Sequence, residues 1–102
     1  MKEEYKELPL VKTDLRFELV VDGHTAFIDY NTRGERIALI HTEVPEELAG
    51  RGVAAAIVEK TLIWLEENEI PLIPLFPYVK QFLVRNPDWQ RVVDEPYKSR
   101  LS

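Results

Sequence analysis

The stretch from His41 to Lys60, HTEVPEELAGRGVAAAIVEK, contains the transition that decides the fold. A strand-like segment ends at Pro45, a turn contains Gly50, Arg51 and Gly52, and an Ala-rich apolar run follows. Glycine tolerates positive φ and lets a ligand approach the backbone. A helix that starts just after such a turn leaves several amide N–H groups free for an anion, to which Arg51 could add charge. The stretch therefore predicts either an anion site at residues 50–55 or a strand-to-helix turn without a ligand.

Three strand-like segments precede this transition, at residues 15–21, 25–32 and 36–44. They are rich in alternating apolar residues, which is typical of half-buried strands. The turns between them are Asp22-Gly23-His24, which is a hairpin signal, and Arg33-Gly34-Glu35. The segments predict an antiparallel meander.

After the glycines, apolar residues at 53, 54, 57, 58, 61, 62 and 65 have helical spacing, so we expect a helix over 53–69. The apolar run at 70–76 predicts a buried strand parallel to the third strand, reached by this crossover helix. Residues 78–86 predict a helix with Pro77 in its first turn, and 87–93 either extend that helix or form another turn. The fold class is α/β (α+β), a mixed sheet with helices on it.

The length of 102 residues allows one domain, which we expect to span 14–93. Residues 1–13 are expected to form an N-terminal extension that packs loosely or pairs late. Residues 94–102 are expected to form a polar, mobile tail.

Composition excludes several classes of site. The chain has no cysteine, so disulfides, thiolate metal sites and a cysteine nucleophile are absent. A net charge of −5 argues against nucleic-acid and acidic-membrane partners. The chain has only two histidines, so a metal site is not favoured. No apolar stretch reaches the roughly 18 residues of a membrane helix. The charged N-terminus lacks a secretory h-region, so we expect a cytoplasmic protein.

Three other motifs are excluded because residues that they require are absent. The glycines are not followed by Lys-Ser/Thr, which excludes a nucleotide P-loop. A third glycine and a preceding βαβ unit are absent, which excludes a dinucleotide fingerprint. His41-Thr42-Glu43 fits the His-x-Glu of zinc deaminases, but their Pro-Cys-x-x-Cys partner is absent.

Gly50-Arg51-Gly52-Val53-Ala54 resembles the acyl-CoA pyrophosphate loop of the GCN5-related N-acetyltransferases. Large members carry Gln/Arg-x-x-Gly-x-Gly/Ala, whereas Glu47 stands first here. The small, single-domain YjdJ-like branch is more similar, since it reads His-Thr-Asp/Glu-Val, then Gly-x-Gly, a helix and Ile-Pro-x-Cys-x-Phe/Tyr. This chain has His41-Thr42-Glu43-Val44, the glycine pair, and residues 73–78 as IPLFPY. The resemblance covers roughly residues 15–93, including RNPDW at 85–89.

The resemblance implies that acetyl-CoA is the substrate and that no metal takes part. Pantetheine would lie between the third strand and the strand at 70–76, bonded to backbone near Thr42, Glu43 and Val44. The pyrophosphate would bind the amides of the glycine loop, Gly50, Arg51, Gly52, Val53 and Ala54 included. An amine would attack the thioester directly while a backbone N–H holds the acetyl oxygen. Phe76 stands where the small branch has cysteine, so a thiol relay is impossible.

Candidate catalytic residues lie on the strand before the turn. His41 and Glu43 are two apart and face the same side, so either could take the proton of the amine. The structural alternatives are a hydrogen-bonded histidine and a solvated carboxylate. Tyr78 could protonate the leaving thiolate or simply pack. Arg85 and Asn86 could reach the CoA phosphates or lie at a helix end.

Two other classes of function remain open in addition to an acetyltransferase. Phe76 could close the acetyl pocket and leave a non-catalytic acyl-CoA-binding module of the same fold. A structural interaction domain without a cofactor is the third class, which the glycine pair disfavours. The acceptor amine is unidentified, although Asp29, Glu43, Glu46 and Glu47 would attract a cation. Oligomeric state is not encoded in any readable pattern.

Overall fold

The computed structural model of the protein describes residues 1–101, and these form one five-stranded sheet with helices packed on it. The strands are β1 (Val11–Lys12), β2 (Arg16–Val21), β3 (His24–Arg33), β4 (Arg36–Glu43) and β5 (Leu72–Pro74). The helices are α1 (Val53–Glu67), α2 (Pro77–Arg85) and α3 (Glu95–Lys98). Short 3-10 turns occupy Glu3–Tyr5, Glu46–Leu48, Pro87–Val92 and Ser99–Leu101.

The strands lie in the order β1-β2-β3-β4-β5. Neighbours from β1 to β4 are antiparallel, and β5 is parallel to β4. The mixed α/β sheet, the antiparallel meander and the β4–α1–β5 crossover are therefore confirmed. Strand β1 is an addition that the sequence did not predict.

The β2–β3 hairpin follows from the chemistry of its two-residue loop. Val21 pairs with His24, so Asp22 and Gly23 alone make the turn. Their φ angles are 49° and 80°. Positive φ at both central positions defines a type I′ turn, which matches the twist of the flanking strands.

One face of the sheet packs on α1 and forms the core. Strand β2 alternates as the sequence predicts, since Phe17, Leu19 and Val21 are buried and the residues between them are not. Ala26 and Ile28 of β3 extend this face toward α1. On β2 and β3 the opposite face, called here the outer face, carries half-buried or exposed side chains, including Phe27 and Asp29. His41 and Glu43 of β4 lie on this outer face.

Of the two alternatives for the N-terminal extension, loose packing is wrong. Tyr5 is only 1% exposed and belongs to the core. Its hydroxyl donates a hydrogen bond to the Arg51 carbonyl at 2.7 Å. Val11 and Lys12 then pair with β2. A buried aromatic ring surrounded by charged residues has no periodic signature, so the sequence pattern could not show this packing.

The expectation of a mobile tail is wrong for residues 94–101, and Ser102 lies outside the described residues. Val93 bridges to Leu72 in parallel, and the Asp94 amide donates to the Leu72 carbonyl at 2.8 Å. The Asp94 carboxylate accepts from Arg36 Nε at 2.6 Å. Leu101 is 8% exposed. The segment therefore covers the free edge of β5, although most of its residues are polar.

Strand β5 is shorter than the predicted 70–76. It pairs with β4 through Leu72, Ile73 and Pro74 only. Proline has no N–H to donate, so the residues at 71, 74 and 77 limit regular pairing on both sides of this segment.

Candidate functional site

The two parallel strands separate at their carboxyl ends. The last pair between them joins Leu39 to Pro74, and β4 continues to Glu43 without pairing to β5. The register between β3 and β4 also shifts here, because Asp29 pairs with His41 whereas Tyr30 pairs with Leu39. Ile40 is thus an extra residue, a β-bulge that bends β4 away from regular pairing. Residues 40–43 therefore have no strand partner on the β5 side within the described chain, and we call this opening the gap beside β4.

The predicted residues of β4 divide between its two faces. Thr42 faces the core, pairs with Ile28, and donates its hydroxyl to the Phe27 carbonyl at 2.9 Å. His41 and Glu43 both lie on the outer face, as the sequence predicts. Their side chains are 55% and 62% exposed, and His41 Nε2 is 3.8 Å from Glu43 Oε1. The pair is therefore accessible from solvent.

The surroundings of this pair are aromatic and charged. The rings of Phe27 and His41 are 6.4 Å apart in an edge arrangement. The Arg16 guanidinium lies 3.8 Å from the centre of the Phe27 ring and 3.1 Å from an Asp29 oxygen. Asp29, one of the predicted acidic groups, thus already has a cationic partner. Val44, the next predicted residue, packs against the core.

The glycine loop leads directly into α1. Gly50 and Gly52 have φ angles of 74° and 76°, which other residues rarely adopt. Gly52 caps α1, and no side chain satisfies the first amides of the helix. Within residues 1–101, the N–H groups of Val53, Ala54 and Ala55 have no acceptor. These amides and the helix dipole suit an anion.

Arg51 has structural partners. Its N–H donates to the Leu48 carbonyl at 3.3 Å, and its carbonyl accepts from Tyr5. Its guanidinium lies 2.7 Å from Asp22 and 3.8 Å from Glu4. The hydrogen bond to Asp22 raises the pKa of Arg51, so the side chain is held as a cation. Arg51 therefore joins the loop to the β2–β3 hairpin.

A cavity of about 280 Å³ lies between α1 and α2. It brings together three residues singled out from the sequence, Tyr78, Arg85 and Asn86. Burial raises the pKa of the Tyr78 hydroxyl, and the Arg85 charge opposes that rise. Ala55, the last residue of the predicted anion site, also lines the cavity. Sequence reasoning did not assign the remaining lining residues, although helical spacing from Ala55 and Tyr78 could have revealed most of them. They are Met1, Glu59, Gln81 and Phe82.

Phe76 is a core residue at the start of α2. It is 7% exposed and belongs to the same buried cluster as Val79 and Leu83. Its ring presents no group that could relay an acyl chain.

Two other cavities, of about 350 and 500 Å³, lie at the opposite end of the strands, where Ile70 and Pro71 contribute to both. None of the residues predicted from the sequence lines either of them. The gap beside β4, the glycine loop and the α1–α2 cavity occur together at the carboxyl end, so we take that end as the candidate site.

Metal and membrane signatures are absent from the described part of the chain. Residues 1–101 contain no cluster of three or more His, Asp or Glu side chains that could hold a metal ion. Across the same residues, no helix combines the length and the hydropathy needed to cross a bilayer.

Comparison with a solved structure supports the fold. A GCN5-like protein from Staphylococcus aureus, determined by NMR in solution, is 24% identical and superimposes with a TM-score of 0.66. The match covers 87% of this chain and 90% of that one.

A family model provides the second comparison. The model of the GCN5-related N-acetyltransferases matches residues 16–92, which include β2 to β5, the glycine loop, α1 and α2. The match extends over most of the chain and contains every element of the candidate site. The chain belongs to the GCN5-related N-acetyltransferase family.

Proposed function

We propose that the protein is an N-acetyltransferase that moves an acetyl group directly from acetyl-CoA to an amine. The observation that carries the proposal is the gap beside β4, which ends at a helix whose first amides are unsatisfied. Family membership supports it, since these enzymes generally use an acyl-CoA donor and an amine acceptor. The donor and the acceptor of this chain are parts of the proposal.

The cofactor would extend along three neighbouring surfaces. Its pantetheine arm would bond to the backbone of Thr42, Glu43 and Val44. Its pyrophosphate would bind the amides of the glycine loop, with Gly50 and Gly52 allowing close approach and Val53 and Ala54 donating. Arg51 would act mainly by holding the loop, because its guanidinium already pairs with Asp22. The α1–α2 cavity, with Arg85 and Asn86, would hold part of the same molecule.

The transfer requires one new bond and one broken bond. The amine nitrogen forms a bond to the acetyl carbon, and charge develops on the carbonyl oxygen, which a backbone N–H stabilises. The carbon–sulfur bond then breaks. His41 or Glu43 takes the amine proton. Tyr78, whose hydroxyl is protonated at neutral pH as in any ordinary tyrosine, gives a proton to the leaving thiolate.

The test combines binding with turnover. Calorimetry with acetyl-CoA should show saturable binding, and incubation with a panel of amines should release CoA thiol. Because the chain has no cysteine, a thiol-reactive dye reports released CoA without background from the protein. Binding without turnover on any amine would favour the non-catalytic module that Phe76 suggested. No binding of acetyl-CoA would refute both functions.

A further inference from the structure

Residues 1–8 lie across the amino-terminal half of α1, and the mechanism above does not use them. Tyr5 fixes this segment to the glycine loop through the Arg51 carbonyl, at 2.7 Å. Further along, the Lys60 ammonium donates to the carbonyls of Lys6 and Leu8 at 3.2 and 2.7 Å. The segment is therefore held at two points, one beside the loop and one on the helix.

These anchors bring Lys2 to Gly52. The Tyr5 amide donates to the Lys2 carbonyl at 3.1 Å, so the backbone of Lys2 is fixed relative to the Tyr5 anchor. A Cβ built on Gly52 would lie 3.3 Å from Lys2 Cε and 3.9 Å from Lys2 Nζ. The lysine stem thus passes over Gly52, and its ammonium lies at the amino end of α1.

The Lys2 ammonium lacks the partner that comparable cations nearby possess. Lys6 pairs with Glu3 at 3.0 Å, and Arg51 pairs with Asp22 at 2.7 Å. Lys2 is exposed, and within residues 1–101 its Nζ makes neither a hydrogen bond nor an ion pair. A cation at the positive end of a helix is repelled by the helix dipole. An anion bound between the ammonium and the amides would reverse that repulsion.

We propose that Lys2 is a cofactor-binding residue, whose ammonium binds the pyrophosphate of a CoA thioester opposite the α1 amides. This inference rests on the function proposed above. Lysine binds phosphate as a point charge and does not need the planar geometry of arginine. The N-terminal segment would therefore supply the cation that Glu47, at the first position of the loop, does not provide.

The test uses two lysines of the same segment. Lys2→Met and Lys6→Met each remove one positive charge, but Lys6 already pairs with Glu3. We expect Lys2→Met to weaken CoA binding about tenfold, or about 1.4 kcal/mol, and Lys6→Met to leave it within twofold. Lys2→Arg should restore most of the affinity. The difference in CoA affinity between wild type and Lys2→Met should become smaller at high salt, because salt screens the attraction between exposed charges.

Two fragments locate the contact. With 3′-dephospho-CoA the effect of Lys2→Met should persist, because the pyrophosphate remains. With pantetheine, which has no phosphate, wild type and variant should behave alike. The affinity tag is placed at the C-terminus, and circular dichroism checks that each variant is folded. Lys2→Gln is a second neutral variant should Lys2→Met aggregate.

The results of these binding experiments distinguish failure of the proposed function from failure of the inference about Lys2. If the wild type does not bind CoA, the proposed function and this inference both fail. If the wild type binds CoA and Lys2→Met binds it equally well, only this inference fails. Tighter binding by Lys2→Met would show that the side chain obstructs the site, and an effect lost with 3′-dephospho-CoA would place Lys2 at the 3′-phosphate. Both of these results would overturn the assignment to the pyrophosphate.

Discussion

The His41 imidazole and the Glu43 carboxylate lie two residues apart on the outer face of β4. Strand geometry alone puts them on one side, and the structure gives 3.8 Å between their nearest nitrogen and oxygen atoms. An amine such as a lysine side chain has a pKa around 10.4 and arrives protonated at neutral pH. Some group must remove a proton before the nitrogen can attack.

We expect Glu43→Gln combined with His41→Gln to lower turnover at least a hundredfold, because a positioned base contributes about a hundredfold to ten-thousandfold. CoA affinity should change little, since the cofactor would use backbone groups there. The acidic limb of the pH–rate profile should also disappear. Steady-state kinetics across pH and calorimetry with CoA provide the measurements.

The chain contains a matched control for this double variant. His24 Nδ1 lies 3.9 Å from Glu47 Oε1, a second His–Glu pair outside the β4 gap. The variant His24→Gln should keep its turnover and its pH profile, and Glu47 is left unchanged in this control because it stands at the first position of the glycine loop. Wild-type turnover in the β4 variant would assign deprotonation to water and leave both residues structural.

At the scale of elements, the site depends on how α1 begins. Residues 45–52 reverse the chain between β4 and α1, and both loop glycines adopt positive φ. Gly52 has a second constraint, because a Cβ at this position would lie 3.3 Å from Lys2 Cε, a tight contact. A side chain at this position would therefore strain the backbone, displace Lys2 and crowd the amides.

We expect Gly52→Val to weaken CoA binding at least tenfold, or about 1.4 kcal/mol. Gly34→Val is the control, because Gly34 has φ of 63° in the β3–β4 turn and open space around its Cβ position. Left-handed backbone costs a non-glycine residue about 1–2 kcal/mol, so both variants should lose stability. Only Gly52→Val should lose affinity. Urea unfolding and calorimetry separate the two effects, and unchanged affinity in folded Gly52→Val would refute the pyrophosphate placement.

At the scale of the whole molecule, both termini pack onto the central fold. The N-terminal segment covers α1, and residues 93 and 94 bond to β5. The Lys60 side chain connects the first of these segments to the core. Burial lowers the pKa of Lys60, and the nearby Glu59 charge acts in the opposite direction.

We expect Lys60→Met to lower the free energy of unfolding by about 1–3 kcal/mol, because the carbonyls of Lys6 and Leu8 lose their charged donor. Lys80→Met, at an exposed position of α2, should change it by no more than about 0.5 kcal/mol. Urea denaturation at neutral pH measures both values. Equal effects of the two substitutions would show that the Lys60 hydrogen bonds contribute nothing.

The difference in the free energy of unfolding between wild type and Lys60→Met should depend on pH, and the pKa of Lys60 fixes the direction of that dependence. Because the pKa of Lys60 is lower in the folded state, the unfolded chain binds more protons as the pH approaches the ordinary lysine value of 10.5. Stability rises with pH where the unfolded state binds more protons. The wild type should therefore gain stability relative to Lys60→Met over that range. Titration of Tyr5 is common to both proteins and cancels in the comparison.

The sequence by itself determined the order of the main elements from β2 to α2. Alternation in β2, the Asp22-Gly23 turn and the 3–4 spacing of α1 are local patterns, and each was confirmed because backbone geometry alone produces it. The two glycines marked the strand-to-helix turn for the same reason.

Only the tertiary structure decided which residues meet across the chain. In the folded chain Arg51 pairs with Asp22 and accepts a hydrogen bond from Tyr5, and the Lys2 side chain lies over Gly52. Phe76 packs in the core, and residues 93 and 94 lie on the edge of β5. None of these contacts leaves a periodic trace, because a single long-range partner fixes each of them. The polar composition of both termini predicted loose segments, yet burial of Tyr5 and Leu101 and the ion pair between Arg36 and Asp94 hold them in place.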